Sequence, residues 1–359
     1  MLKPATRGCL ATAFLVAAAC ASTAQAASQA AATVTPCTAT QAGVCRETLT
    51  LARDAKLAYY RTYSLSAPNT QVTKAVLVIH GTDRNALAAF TQVLNAAKAT
   101  SNVANTIILA PRFPIKEDTP PPGFLYWDRK DGIDHGWKQG DDAISANPMS
   151  AFTVADRILR LLNLATRFPN LQQVTVVGHS GGGQYTQRYA LGGKQPPLMR
   201  AGVTVRYVAA NPGSYTYLNG FRPDLADPTY QTWQVPVTSC PYNRYKYGLE
   251  AVNDYLDDTP PATLVAQYPT RRVTYLLGEL DTSRAGTFDS SCQADLQGLH
   301  RLERGSAFAA FMDRYHLQHR HQRVVVPGVA HAAGLMFNSP QGRAAIFPAS
   351  GGGQLRLAG

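Results

Sequence analysis

The 359-residue chain is 45% apolar and 16% charged, long enough to bury a large core and too apolar for a mostly disordered protein. Its formal net charge of +11 comes from scattered Lys and Arg, with no basic run and no nucleic-acid motif. Nucleic-acid binding is therefore not expected, and the basic surface reads as a solvated one open to anionic partners.

The N-terminus has the order of a secretory signal peptide: basic Lys3 and Arg7, an apolar run from Cys9 to Cys20, then the small-x-small site Ala24-Gln25-Ala26, with cleavage after Ala26. The run is too short for a permanent transmembrane helix, and no later segment approaches that length. The alternative is a lipoprotein acylated at Cys20, which Ala17-Ala18-Ala19 introduces poorly. A secreted or periplasmic protein is expected. Removing Met1 to Ala26 takes away two basic residues and leaves a net charge of +9. Four cysteines remain, and an even count in an exported chain reads as two disulfides. Of the three pairings, Cys37–Cys45 with Cys240–Cys292 closes the cheapest loops. No Cys or His spacing suggests a metal site, and His316, His319 and His321 read as a solvated turn.

Residues 27–47 read as a flexible leader holding the Cys37/Cys45 loop, and 48–359 as a single domain. Thr48 to Leu51 and Leu57 to Tyr60, parted by Arg53-Asp54, form a hairpin candidate. Lys74 to His80 is a continuous apolar run, the pattern of a strand buried on both faces. A helix follows over Asn85 to Ala99, then a buried strand over Thr106 to Ala110. Phe152 to Phe168 is an amphipathic helix capped by Ser150 and stopped by Pro169-Asn170. Strands at Gln173 to Val177, Val203 to Ala210, Val273 to Leu277 and Arg323 to Val326 complete the series, with a helix opening after Ser180. Such alternation means βαβ units and an α/β fold with a mostly parallel, doubly wound sheet. Two long aromatic-rich stretches, about 111–149 and 211–271, interrupt the rhythm and read as cap or loop inserts over a site.

Gly178-His179-Ser180-Gly181-Gly182 fits GxSxG, directly after a strand and opening a helix. A sharp strand-to-helix turn exposes the serine, and its neighbours must be small to clear the adjoining backbone. Ser180 is the candidate nucleophile. A serine hydroxyl is a weak nucleophile and needs a base. His331, in the loop after the last strand, is the candidate. His80 reads as structural or as a support for the loop next to it, and His179 as pointing away. Asp281, after the strand Val273 to Leu277, would hold the imidazole, with Glu279 the runner-up. The N–H groups of Gly181 and of Thr82, in the loop after His80, are candidate oxyanion donors.

The elbow, the His80-Gly81 loop, Asp281 and His331 resemble the α/β-hydrolase superfamily over about Lys74 to Phe337. Within it HGTDRNA (80–86), GWKQGD (136–141), CPYNRYKYGL (240–249) and PGVAH (327–331) resemble exported bacterial and fungal hydrolases of esterase or lipase type. The resemblance implies an acyl-enzyme mechanism and no cofactor, without implying a substrate. Among the inserts' aromatic residues Trp127, Trp137 and Tyr245 are candidate substrate contacts, and Arg244 and Lys246 make an anionic substrate end conceivable. The first expectation is a carboxylester hydrolase acting on a small or polymeric extracellular ester. The alternatives are a peptidase or amidase, a β-diketone hydrolase with the same triad, and a non-catalytic binding protein on this scaffold.

Overall fold

The computed structural model describes residues 1, 8, 34–128 and 136–349. Apart from Met1 and Gly8, the signal peptide with Cys9 and Cys20 lies outside the described residues, as does His135. The elements below fall within one compact unit, Thr33–Gly359.

β1 (Arg46–Ala52) and β2 (Ala55–Arg61) form the expected hairpin, turning at Asp54 with φ 55°. The leader boundary at 47 falls inside β1. Residues before it are tied to the sheet, with the Cys37 N–H donating to Thr62 O and the Arg61 N–H to Cys45 O. Cys37 bonds to Cys45, and Cys240 to Cys292.

β3 (Lys74–Ile79), α1 (Ala86–Ala99), β4 (Thr106–Pro111), α2 (Ala151–Leu162), β5 (Gln173–His179), α3 (Gly181–Gly192) and β6 (Thr204–Ala210) come next. The second insert carries the short pair β7 (Arg222–Pro223) and β8 (Trp233–Gln234), then α4 (Asp254–Asp257) and α5 (Pro261–Gln267). β9 (Arg272–Gly278), α6 (Cys292–Asp295), α7 (Arg301–Tyr315), β10 (Gln322–Val326), α8 (Ala333–Asn338) and α9 (Pro340–Ile346) complete the order. The main sheet runs β1-β2-β4-β3-β5-β6-β9-β10, antiparallel through β1, β2 and β4 and parallel from β4 to β10.

The apolar runs of β3, β4 and β5 result from burial on both faces. Leu77, Ile79, Ile107, Leu109 and Val176 pack with α2, α3 and α7. Val76, Val78, Ile108, Ala110 and Val177 pack with α1, α8 and α9. Adjacent residues thus enter opposite cores, as a two-residue period requires.

Ser150 caps α2, its hydroxyl accepting the Phe152 N–H at 3.0 Å. The helix ends at Leu162, six residues before Phe168. Arg200, distant in sequence, donates to Asn163 O and Phe168 O, and the Asn163 side chain accepts the Arg200 N–H. The bond to Asn163 O satisfies a carbonyl that another helical turn would otherwise use.

Candidate active site

β3 lies against β5 with Ile79 opposite Gly178, β4 on its far side and β6 beyond β5. The winding of the chain reverses between β3 and β5, and open parallel sheets bind ligands at the carboxyl ends of the strands at such a point.

At the end of β5 the chain turns at Ser180, with φ 57° and ψ −117°. That conformation costs a non-glycine residue roughly 1–3 kcal/mol and persists only when its surroundings hold it. The Ser180 N–H donates to Ala210 O at 2.9 Å, and Ser180 O accepts the Gln184 N–H at 3.0 Å. The hydroxyl caps no helix N–H. Backbone crowds the flanks: a Cβ on Gly178 would lie 2.3 Å from Gly182 O, and one on Gly182 2.2 Å from Ile79 O. Backbone in the sheet centre has no room to retreat. Gly182→Ala is therefore expected to cost about 3 kcal/mol or more, or to prevent folding. Urea unfolding measures this, and wild-type stability would contradict the packing.

His331 comes after β10, and its Nδ1 lies 2.6 Å from Asp281 Oδ2. Asp281 comes after β9 and is 1% exposed. Its N–H donates to Gly278 O, its carbonyl accepts the Leu302 N–H, and buried Arg301 lies 3.6 Å from Oδ1. An ionised carboxylate only accepts, so neutral His331 carries its proton on Nδ1 and leaves the Nε2 lone pair free of it. Ser180 and His331 line one cavity of about 870 Å³. The His331–Asp281 bond is made. Glu279 is exposed and its carboxylate accepts the Gly328 N–H at 2.7 Å, so it supports the loop leading to His331 rather than the imidazole.

No protein-family model and no curated protein matches the chain. Solved structures do. A poly(3-hydroxybutyrate) depolymerase from Bordetella parapertussis aligns with a TM-score of 0.52 at 22% identity, over 79% of this chain and 81% of that one. Poly(aspartic acid) hydrolase-1 from Sphingomonas sp. KT-1 aligns with a TM-score of 0.54 at 22% identity, over 81% of this chain and 94% of that one. The chain has the α/β-hydrolase fold.

In this α/β-hydrolase sheet the loop after β3 reaches the elbow. A Cβ on Gly181 would lie 3.2 Å from Thr82 N and 2.8 Å from Thr82 Oγ1. The two candidate donor residues are thus neighbours beside Ser180. His80 is buried, with Nε2 accepting the Phe113 N–H at 2.9 Å and Nδ1 2.8 Å from Gly81 O. Those partners fix the neutral tautomer with the proton on Nδ1.

His179 does not simply point away. It shares the side of β5 on which Val177 lies, its ring centroid 4.4 Å from that of His331 and its Nε2 3.3 Å from Asn211 Nδ2. The period of two running back to Val177 was the signal for this placement.

Burial pushes His80 down to about 4 and His321 to about 3. Burial, then the charges of His331 and Arg301, pushes His179 well below the ordinary range. All three are neutral when folded, whereas the unfolded chain takes up their protons near pH 6.5. The His80 contribution is therefore intact above about pH 6.5 and lost as pH falls toward 4, on the order of 3 kcal/mol. The urea midpoint is expected to hold near pH 7 and drop steeply from about pH 6.5 toward 4.5, and a flat midpoint would contradict this.

The expected aromatic contacts divide. Trp137 lines the cavity, edge-on to His80 at 4.6 Å. Trp127 is fully buried against Phe113 and donates its indole N–H to Asp141 O. Tyr245 is buried and donates its hydroxyl to Gln139 O. Neither is among the residues lining this cavity, and both lie in the buried core that the inserts help to form. Lys246 and Tyr247 line the cavity, whereas Arg244 is exposed elsewhere. Buried Arg222 organises the second insert, donating to Tyr242 O, Tyr247 O and Asn243 Oδ1 and lying over the Tyr217 and Tyr242 rings.

Proposed function

We propose that the protein is a serine hydrolase that cleaves carboxylic esters through an acyl-enzyme. The observation that carries this is a serine on a strained strand-to-helix turn, sharing a cavity with a histidine whose far nitrogen is held by a buried carboxylate. His331 Nε2 takes the Ser180 Oγ proton as Oγ attacks the ester carbonyl. The N–H groups of Gly181 and Thr82 hold the oxyanion, and Asp281 stabilises the imidazolium. The tetrahedral species collapses, and the alcohol leaves with the proton from His331. Water, deprotonated by His331, then attacks the acyl-enzyme, releasing the acid and restoring Ser180.

The two similar structures carry the names of a polyester depolymerase and a poly(amino acid) hydrolase. Those names support a polymeric ester as the substrate, with an amide as the rival. Two disulfides favour an oxidising compartment, in keeping with an exported protein. The test is kcat/KM over short to long p-nitrophenyl esters, beside a peptide anilide and a β-diketone. Strong ester turnover supports the reading, whereas preference for the anilide or the diketone would replace it with one of the alternatives.

A further inference from the structure

The donor attributed to Thr82 belongs to the Gly81–Thr82 peptide, whose C=O and N–H point in opposite directions because the bond is trans. The direction of the N–H is therefore set by whatever holds Gly81 O. Two donors hold it: His80 Nδ1–H at 2.8 Å and the backbone N–H of Arg84 at 3.0 Å. Arg84 sits at φ 58°, a left-handed conformation that needs external support. That support is its own side chain. Nη1 donates back to Thr82 O at 2.8 Å, while Nε and Nη2 grip Asp118 at 2.7 and 3.2 Å. Asp118 lies on the loop after β4, where its carboxylate also accepts the Ile115 N–H at 3.0 Å and faces Arg112 at 3.7 Å. Burial pushes the Asp118 carboxyl up, but the Arg84 and Ile115 hydrogen bonds and the two arginine charges outweigh it and hold it below the usual range.

We propose that the Arg84–Asp118 pair is a positioning clamp that fixes the Thr82 N–H toward the reacting oxygen above Ser180. It rests on the serine-hydrolase reading and adds residues to it that touch no substrate in the steps given. The guanidinium is needed for its shape: three donors in one plane reach two carboxylate oxygens and a carbonyl at once, which a lysine ammonium does not do in this geometry. A loosened loop would still admit substrate while losing the oriented donor, so the damage should fall on the transition state.

The test uses Arg84→Met and Asp118→Asn, with phenylboronic acid as the probe. It adds to a serine hydroxyl to give an anionic tetrahedral boronate, while the carboxylic acid product serves as a ground-state competitor. For both variants kcat is expected to fall roughly 10- to 100-fold with KM changed less than about threefold. The boronate Ki should rise by the same factor as kcat/KM falls, with the product Ki unchanged. The double variant should be no worse than the poorer single one, because the residues act as a unit. If Arg84→Met does not fold, Asp118→Asn carries the test, since it preserves shape. Unchanged kcat and boronate affinity, or boronate and product affinities falling together, would overturn the clamp while leaving the hydrolase reading standing. A wild-type protein that neither turns over esters nor binds the boronate would overturn both.

Discussion

Ser180→Ala is expected to lower kcat/KM on an activated ester by roughly 10⁴- to 10⁶-fold. The hydroxyl is the only atom that forms the acyl bond, so no neighbour substitutes for it. The residual rate would come from the donors and the cavity, which survive the change. The fold should survive as well. The Ser180 hydroxyl makes no capping bond, and the turn is held by backbone bonds to Ala210 and Gln184 that alanine keeps. Alanine also bears the same left-handed φ, so strain is unaltered and the melting temperature should stay within about 3 °C, less than 1 kcal/mol. Loss of activity with loss of fold would leave catalysis unassigned. Activity kept in a folded variant would remove Ser180 from the chemistry.

The second large effect separates two carboxylates two residues apart. Asp281→Asn is expected to reduce kcat about 10⁴-fold, because an amide can donate to Nδ1 and stabilise the wrong imidazole tautomer. It also leaves Arg301 buried without its counter-charge, 3.6 Å from the old carboxylate, so a stability loss of about 3 kcal/mol should accompany it. Glu279→Gln should leave kcat within about threefold, since an amide oxygen can still accept the Gly328 N–H. Steady-state kinetics with urea unfolding read both. A larger kcat loss in Glu279→Gln than in Asp281→Asn would reverse the assignment.

Much of this site was legible because its residues stand at topologically fixed places. The runs of β3 and β5 read as strands buried on both faces, so the loop after each had to emerge at one sheet end, and Thr82 and Ser180 do. His331 and Asp281 were placed the same way, each after a strand, and their 2.6 Å contact joins segments 50 residues apart. The inserts were not legible in that manner. Trp127, Trp137 and Tyr245 lie in segments without a period, and nothing local says which ring faces a cavity and which fills a core. Their facing depends on tertiary partners such as Asp141 and Gln139. The early end of α2 escaped for a related reason, since the arginine that takes the carbonyl just past it lies beyond β5 and α3. Arg84 went unmarked because an arginine in a βα loop resembles any exposed cation until Asp118 is seen beside it.

The most direct measurement is intact mass and peptide mapping after treatment with a fluorophosphonate, for wild type and Ser180→Ala. The account predicts one adduct on wild type, carried by the peptide containing Ser180, and none on the variant. An unlabelled wild type, or an adduct that persists in Ser180→Ala, would contradict it.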